Sequence, residues 1–312
     1  MRREMRYSIS FMLSLHTSST LLSALNSLDR TSAALDTSHT RLSTGYRINS
    51  AQDDAAGLQL ASRLASQSSG MKVAMRNTQN AIAMLQTADS LLGEVGNILN
   101  RMSDMAIMAA DDSFTDADRV ALNDEYVILS EQALNIVNES SYAGKYLMRY
   151  VVAPPGPNGP GTMGSGPLTF QIGASAAETV TADFRPALGQ LNSSLYYAVD
   201  QGRLDGYPVD GPGTELTSRA AASALVDKIA AASKDTSALR AQFGGLGNRL
   251  DSVYRNLSSM TGNTDAVHGR IMDVDFASET ATMTANQMLA QTGMAMLKNS
   301  LSTLQLVKSL ID

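Results

Sequence analysis

Three histidines, His16, His39 and His268, are the side chains best suited to hold a transition metal or pass a proton at neutral pH. They stand far apart, and no His-Glu-x-x-His pair occurs. Asp111, Asp112, Asp116 and Asp118 form the densest carboxylate cluster, with charge enough for calcium but neither the spacing nor the central glycine of an EF loop. Capping of a following helix by Thr115 or Asp116 accounts for the cluster. GPGTMG (159–164) spells a dinucleotide fingerprint, yet Pro160 interrupts it and no helix should open there. Gly144-Lys145-Tyr146 lacks the hydroxyl residue and the upstream glycine of a phosphate-binding loop. The absence of cysteine removes disulfides, thiolate metal sites and cysteine nucleophiles together. Asn138, Asn192 and Asn256 each begin an N-glycan acceptor triplet, a pattern common by chance. The expectation is a protein with no catalytic residue, no cofactor and no metal.

With 312 residues, 44% hydrophobic and 17% charged, the chain can bury a real core and is too apolar for wholesale disorder. A net charge of -6 without a basic run argues against nucleic acid, and no apolar run reaches the 18 or so residues of a membrane span. Arg2, Arg3 and Arg6 precede a short apolar stretch broken by Ser10 and Ser14, so no cleavable signal is expected.

The elements that would position any site are long helices. All 8 prolines lie between Pro154 and Pro212, which leaves both flanks free for them. In the first, Leu21, Leu25, Leu28, Leu35 and Leu42 keep a 4-3 rhythm, with Ser32 and His39 at the remaining positions of the seam. Gly45 supplies a positive-φ stop, and Ser50 reads as the cap of the next helix, with Asp53 and Asp54 against its positive end. Met71, Met75, Ile82, Leu85, Leu92, Val95, Leu99, Met102 and Ala106 then continue the rhythm, in a helix of roughly 90 Å if unbroken over 51–109. A shorter helix carries Leu122, Tyr126, Leu129, Ala133 and Ile136. Residues 146–152 read as a strand, and 168–172 with 179–184 alternate as a hairpin. Residues 190–213 read as a surface excursion with little periodicity. From Leu225 through Ile229, Ala232, Thr236, Leu239, Phe243, Leu246, Leu250, Val253 and Leu257 to Met260 the seam is the most regular in the chain; Gly262 and Gly269 should punctuate it. Asp273 or Asp275 can cap a last helix with two apolar lines, one of Met294, Leu297, Leu301, Leu304 and Ile311, the other of Leu289, Met296, Val307 and Leu310. A helix apolar on more than one face must bury against several others. Gln287, Gln291, Asn299 and Gln305 dilute it too much for membrane insertion.

The string LSTGYRINSAQDDAAGLQLASRL (42–64) is similar to the signature near the start of bacterial flagellins. GRIMDVDFASETATMTANQMLAQTGMAML (269–297) resembles the family's closing signature, and FQIGASAAET (170–179) its hairpin. LSLHTSST, following Met12, resembles the extreme N-terminus of the lateral-flagellum kind, which leaves residues 1–11 as a mis-called start or an extension. The resemblance implies a mainly α fold: long antiparallel coiled-coil rods from both chain ends, with a small β-hairpin region in the middle. It implies an inner-tube helix over 1–44, outer-tube rods over 45–150 and 216–265, a short proline- and glycine-rich surface region over 151–215, and a C-terminal inner-tube helix over 266–312. It also implies a secreted structural subunit that polymerises for motility, handled by an export chaperone and a filament cap. The Leu21, Leu25, Leu28, Leu35 and Leu42 line and the Met294 to Ile311 line would then be assembly seams, and Leu304→Asp should block polymerisation while the rods stay folded. Arg101 matches an arginine in the stretch read by the vertebrate Toll-like flagellin receptor, but Ser103, Met105 and Met108 depart from that stretch. The rival reading is a hook-filament junction protein, which shares flagellin-like ends.

Overall fold

The structure is a computed structural model that describes the backbone of residues 2–150, 159–199 and 216–311, and the side chains of 21–150, 159–198 and 216–302. Helices α1 (Arg2–Thr44), α2 (Ala55–Ala109) and α3 (Asp116–Glu139) lead into a short hairpin of β1 (Ser141–Tyr142) and β2 (Lys145–Tyr146). A second antiparallel hairpin, β3 (Leu168–Gln171) and β4 (Thr179–Ala182), is followed by α4 (Arg185–Val199), α5 (Arg219–Met272) and α6 (Phe276–Ile311). The chain divides into two compact units, Met1–Ser66 with Asn263–Asp312, and Gln67–Gly262. The division falls inside the continuous helices α2 and α5; in α5 it lies close to the boundary expected at 265, and in α2 it lies beyond the corner at 44. Gly262 and Gly269 do not punctuate α5, because intrahelical hydrogen bonds to either side outweigh the roughly 1 kcal/mol that one glycine costs a helix.

The larger unit contains the core. Along α2, Leu85, Ala88, Leu92, Val95, Leu99, Met102, Ala106 and Ala109 are buried at the 4-3 spacing of the sequence. They meet Tyr126, Ala133 and Val137 of α3 and Leu225, Ile229, Ala232, Leu239, Phe243 and Leu250 of α5. Thr236, the polar member of that seam, is buried with its hydroxyl donating to Ala232 O at 2.8 Å. Met260 is exposed instead; Thr261 takes the inward place, one step on at the i+4 position from Leu257.

Two expectations for the middle are corrected. The strand ends at Tyr146 and does not continue through 147–150; that backbone is bonded irregularly to 161–163, with Met163 N donating to Leu147 O at 2.9 Å and Gly161 N to Arg149 O at 2.8 Å. Residues 151 and 152 of the same expectation lie outside the described residues. The surface excursion is in its first part helix α4, whose Leu188, Leu191, Leu195 and Ala198 are all buried. Pro186 sits in the first turn, where a missing N–H costs nothing. Tyr126 donates its hydroxyl to Ala198 O, and Phe184 meets Phe243 edge-on at 4.9 Å. Residues 200–213 of that expectation lie outside the described residues.

Candidate functional site

In the smaller unit α1 packs along α6. Ser38, Ile48 and Ala61 are the only fully buried side chains there among the described residues. The facing lines mix leucines and a methionine with small and polar residues. On α6, Glu279, Met283, Asn286, Gln287, Ala290, Gly293, Leu297 and Ser300 are half-buried; on α1, Leu21, Ala24, Leu28, Thr31, Ala34, Leu35, Arg41 and Leu42 are half-buried around Ser38. Leu28 lies so close to Gly293 that a Cβ there would be 3.5 Å from its Cδ1. Ser38 Oγ donates to Glu279 Oε1 at 2.5 Å, and Arg41 meets the other Glu279 oxygen at 3.5 Å.

This pairing half-buries Leu21, Leu28, Leu35, Leu42, Met283 and Leu297 and leaves other large apolar side chains outside. Leu22 and Leu25 of α1, and Phe276, Met288, Leu289, Met294, Met296 and Leu301 of α6, are 44–68% exposed. Of the seam expected on α1, Leu21, Leu28, Leu35 and Leu42 are half-buried, while Leu25, Ser32 and His39 are exposed and Thr31 and Ser38 take the inward places beside them. Of the line expected on α6, Leu297 is half-buried while Met294 and Leu301, one turn to either side, are exposed. The side chains of Leu304 and Ile311 lie outside the described residues. Full burial of one such Leu or Met is worth about 1.5–3 kcal/mol, none of which is collected while the face meets water.

The corner that ends α1 and begins α2 is fastened to the corner between α5 and α6. Gly45 has φ +75°, which closes α1, with its N–H bonded to Arg41 O at 2.9 Å. Arg47 N donates to Met272 O at 2.6 Å and its Nη2 to Ile271 O at 2.9 Å, while Val274 N returns a bond to Gly45 O at 3.0 Å. Ile48 is buried beneath the turn, and a Cβ on Gly57 would come within 2.8 Å of its Cδ1, so that place in α2 must stay bare. One oxygen of Asp53 accepts from Asn49 N (2.9 Å), Ser50 N (2.8 Å) and Ser50 Oγ (3.2 Å). The two backbone donors, helped by the Ser50 hydroxyl and nearby Arg41, hold the Asp53 carboxyl below the usual carboxylate range. Ser50 is not the cap of α2, as the spacing alone had indicated. That role belongs to Asp54, whose Oδ1 accepts from Gly57 N at 2.8 Å and whose carbonyl accepts from Leu58 N at 3.0 Å. At the other corner Asp275 caps α6 through Ala277 N at 3.0 Å.

Arg101 is exposed on α2 and forms an ion pair with Glu125 of α3. The acidic cluster is committed to structure. Asp118 and Thr115 form a reciprocal capping box at the start of α3, Asp111 accepts from Ser113 N at 2.7 Å, and Asp112 pairs with Arg219 at 3.0 Å. Sequence reasoning missed Arg119. Its buried guanidinium donates to Ala109 O and Asp111 O, both at 2.8 Å, and to Asp116 Oδ1 at 3.2 Å, tying the carbonyl end of α2 to the start of α3. An arginine ten residues after the last apolar position of one helix was the available signal. No cluster of three or more metal-ligating side chains occurs among the described residues, and no described helix is long and apolar enough to cross a membrane.

Comparison with known proteins matches both flanks to family models. Residues 16–152 match the bacterial flagellin N-terminal helical region, and residues 226–311 the bacterial flagellin C-terminal helical region. Flagellin A of Vibrio cholerae serotype O1 is 30% identical over 375 aligned positions, covering 91% of this chain and 96% of that protein. A flagellin of Halalkalibacterium halodurans is 29% identical over 272 positions, covering 87% and 89%. Among solved structures, one from Vibrio parahaemolyticus assigned as a flagellar hook-associated protein covers 71% of this chain and 100% of its own, with a TM-score of 0.53. At 17% identity that likeness speaks to the fold alone.

Proposed function

The chain belongs to the bacterial flagellin family, and on that premise we propose that α1 and α6 carry the contacts by which its copies polymerise. It is a structural subunit of the flagellar filament, outside the cell, and not an enzyme. One observation carries the assignment of the contacts: α1 and α6 only half-bury the leucines between them, with Ser38 the one fully buried side chain of the described pair, and turn Leu22, Leu25, Met288, Leu289, Met294, Met296 and Leu301 outward. A lone subunit with such faces in water is marginal, so copies that cover them supply what the chain does not supply to itself. The terminal segments 1–44 and 266–312, including Leu304 and Ile311, are the assembly region in this reading. The fastened corner at Gly45, Ser50, Asp53 and Asp54 fixes where those helices begin.

The same exposed face calls for two helpers before assembly. An export chaperone that shields α6 and a cap that retains subunits at the growing tip follow from family membership, and the apolar side chains of α6 are what a chaperone of that kind would cover. Arg101, held by Glu125, is in this reading part of the helix surface presented to neighbours. The hook-filament junction alternative is disfavoured, since curated flagellins match nearly the whole chain.

Leu289→Asp tests the assembly face directly. Leu289 is 59% exposed, so the charge costs the lone subunit within about 0.5 kcal/mol, whereas burying it against a neighbour carries the far larger penalty of an unpaired charge. Seeds of native filament should fail to elongate with this variant in electron micrographs, while its circular dichroism melt stays unchanged. Filaments of normal length would refute the placement of the contacts.

A further inference from the structure

The chain has 17 methionines and no cysteine, so thioether is its only sulfur and its most readily oxidised side chain. The described methionines range widely in exposure. Met71, Met102, Met105, Met148 and Met163 of the larger unit are 0–3% exposed, and Met108 and Met260 of that unit 40% and 42%. Met288, Met294 and Met296 of α6 are the most exposed, at 61%, 54% and 68%; Met296 stands with Leu289 on one apolar line of the helix and Met294 with Leu301 on the other. The side chains most open to an oxidant therefore stand on the surface that assembly must dehydrate.

We propose that Met288, Met294 and Met296 are a modification site: oxidation of these thioethers by a peroxide-class oxidant converts the α6 face from one that joins a filament into one that does not. The proposal rests on the assembly reading above. In the reaction with hydrogen peroxide the sulfur lone pair attacks one peroxide oxygen, an S–O bond forms and the O–O bond breaks. The proton of the transferred oxygen passes to the departing hydroxide, so one thioether and one peroxide give one sulfoxide and one water, with sulfur oxidised by two electrons. The product replaces a flexible apolar tip with a strong dipole and acceptor, which a dry interface cannot accommodate unless a donor is present. Met to Leu is a volume-conserving exchange that removes the chemistry and keeps the packing. Once packed, the same residues are shielded, so sensitivity belongs to the unassembled subunit.

The test treats the full chain with limiting hydrogen peroxide, as dilute subunit and as preformed filament, and maps sulfoxide at each methionine by peptide mass spectrometry. In the subunit, sulfoxide should form at Met288, Met294 and Met296 at least tenfold faster than at Met102, Met105, Met148 and Met163, and in the filament this preference should vanish. Oxidised subunit should extend native seeds at least tenfold more slowly, and methionine sulfoxide reductase should restore the rate. The M288L/M294L/M296L variant should extend seeds before and after peroxide alike. Equal extension by oxidised and untreated native subunit overturns the proposal, as does a triple variant that assembles but loses assembly on oxidation. If the triple variant fails to assemble untreated, the reductase arm decides: no recovery on reduction overturns the proposal. Failure of untreated native subunit to extend seeds overturns the assembly reading instead.

Discussion

The two units of this chain are written in the same heptad language and reach opposite ends. In Gln67–Gly262 the 4-3 positions are filled by Leu92, Leu99, Met102, Tyr126, Leu239 and Phe243, each at most 1% exposed, and the unit finishes its core from its own residues. In Met1–Ser66 with Asn263–Asp312 the inward line between α1 and α6 mixes Leu28, Leu35 and Leu297 with Thr31, Ser38, Glu279, Ala290 and Gly293, and only Ser38 of these is fully buried, while Leu22, Leu25, Leu289 and Leu301 lie outside. A helical pair whose inward leucines stay half-buried gains little from being a pair. Its outward apolar surface is available only to other molecules, so periodicity alone does not say whether a seam is internal or shared; the burial each line reaches does.

That contrast is broken or sharpened by matched substitutions. Leu99→Ala, in the finished core, should lower the stability of the larger unit by about 2–5 kcal/mol in urea or thermal unfolding, because the surrounding helices cannot close the cavity. The same change at Leu289 should leave that unfolding within about 0.5 kcal/mol of native. Equal costs at the two sites would erase the distinction. Gly45→Ala forces a side chain to φ +75° and should cost about 1–2 kcal/mol at the corner, read as faster proteolysis there with the larger unit's melt unmoved. Thr115→Ala should cost about 1 kcal/mol, since the cap at α3 loses the hydroxyl that accepts from Asp118 N, while the backbone N–H of residue 115 still donates to the Asp118 carboxylate.

The smallest effect is with pH. Asp53, Asp111 and Asp118 are held below the usual carboxylate range by backbone and hydroxyl donors, so the stability they contribute is complete above pH about 4 and is lost as pH falls through their lowered values. Acid titration below pH 4 should loosen the native corner and the start of α3 together. Thr115→Ala should weaken the α3 share of that response, as followed by the Asp118 carboxyl resonance, because the hydroxyl donor is lost and the backbone donor stays.

Much of this was legible beforehand, and particular residues explain the rest. The seams of α2 and α5 could be read because their apolar residues are large and inward. Thr115 was readable as a cap because Asp118 stands three residues on. Helix α4 was not, since Pro186 and Gly189 read as breakers although Leu188, Leu191, Leu195 and Ala198 keep a 3-4-3 spacing. The facing line of α1 was read at Leu21, Leu28, Leu35 and Leu42 but missed Ser38, because Leu25 looks like a seam residue and Ser38 does not; only the partner, Glu279 on α6, makes Ser38 the inward position. The cap of α2 was set four residues early because Ser50 and Asp53 do form a bonded turn, which precedes the helix and does not open it. Arg119 was overlooked because two of its three partners are carbonyls, which every residue carries, so its position after α2 was its only signal.

The central claim, that α1 and α6 are completed by other copies, is tested most directly by amide hydrogen exchange on dilute subunit and on filament. The account predicts that amides of α1 and α6 exchange at least a hundredfold faster in the lone subunit than in the filament, while those around Leu99 and Phe243 are slow in both. Amides of α1 and α6 as well protected in the lone subunit as in the filament would contradict it.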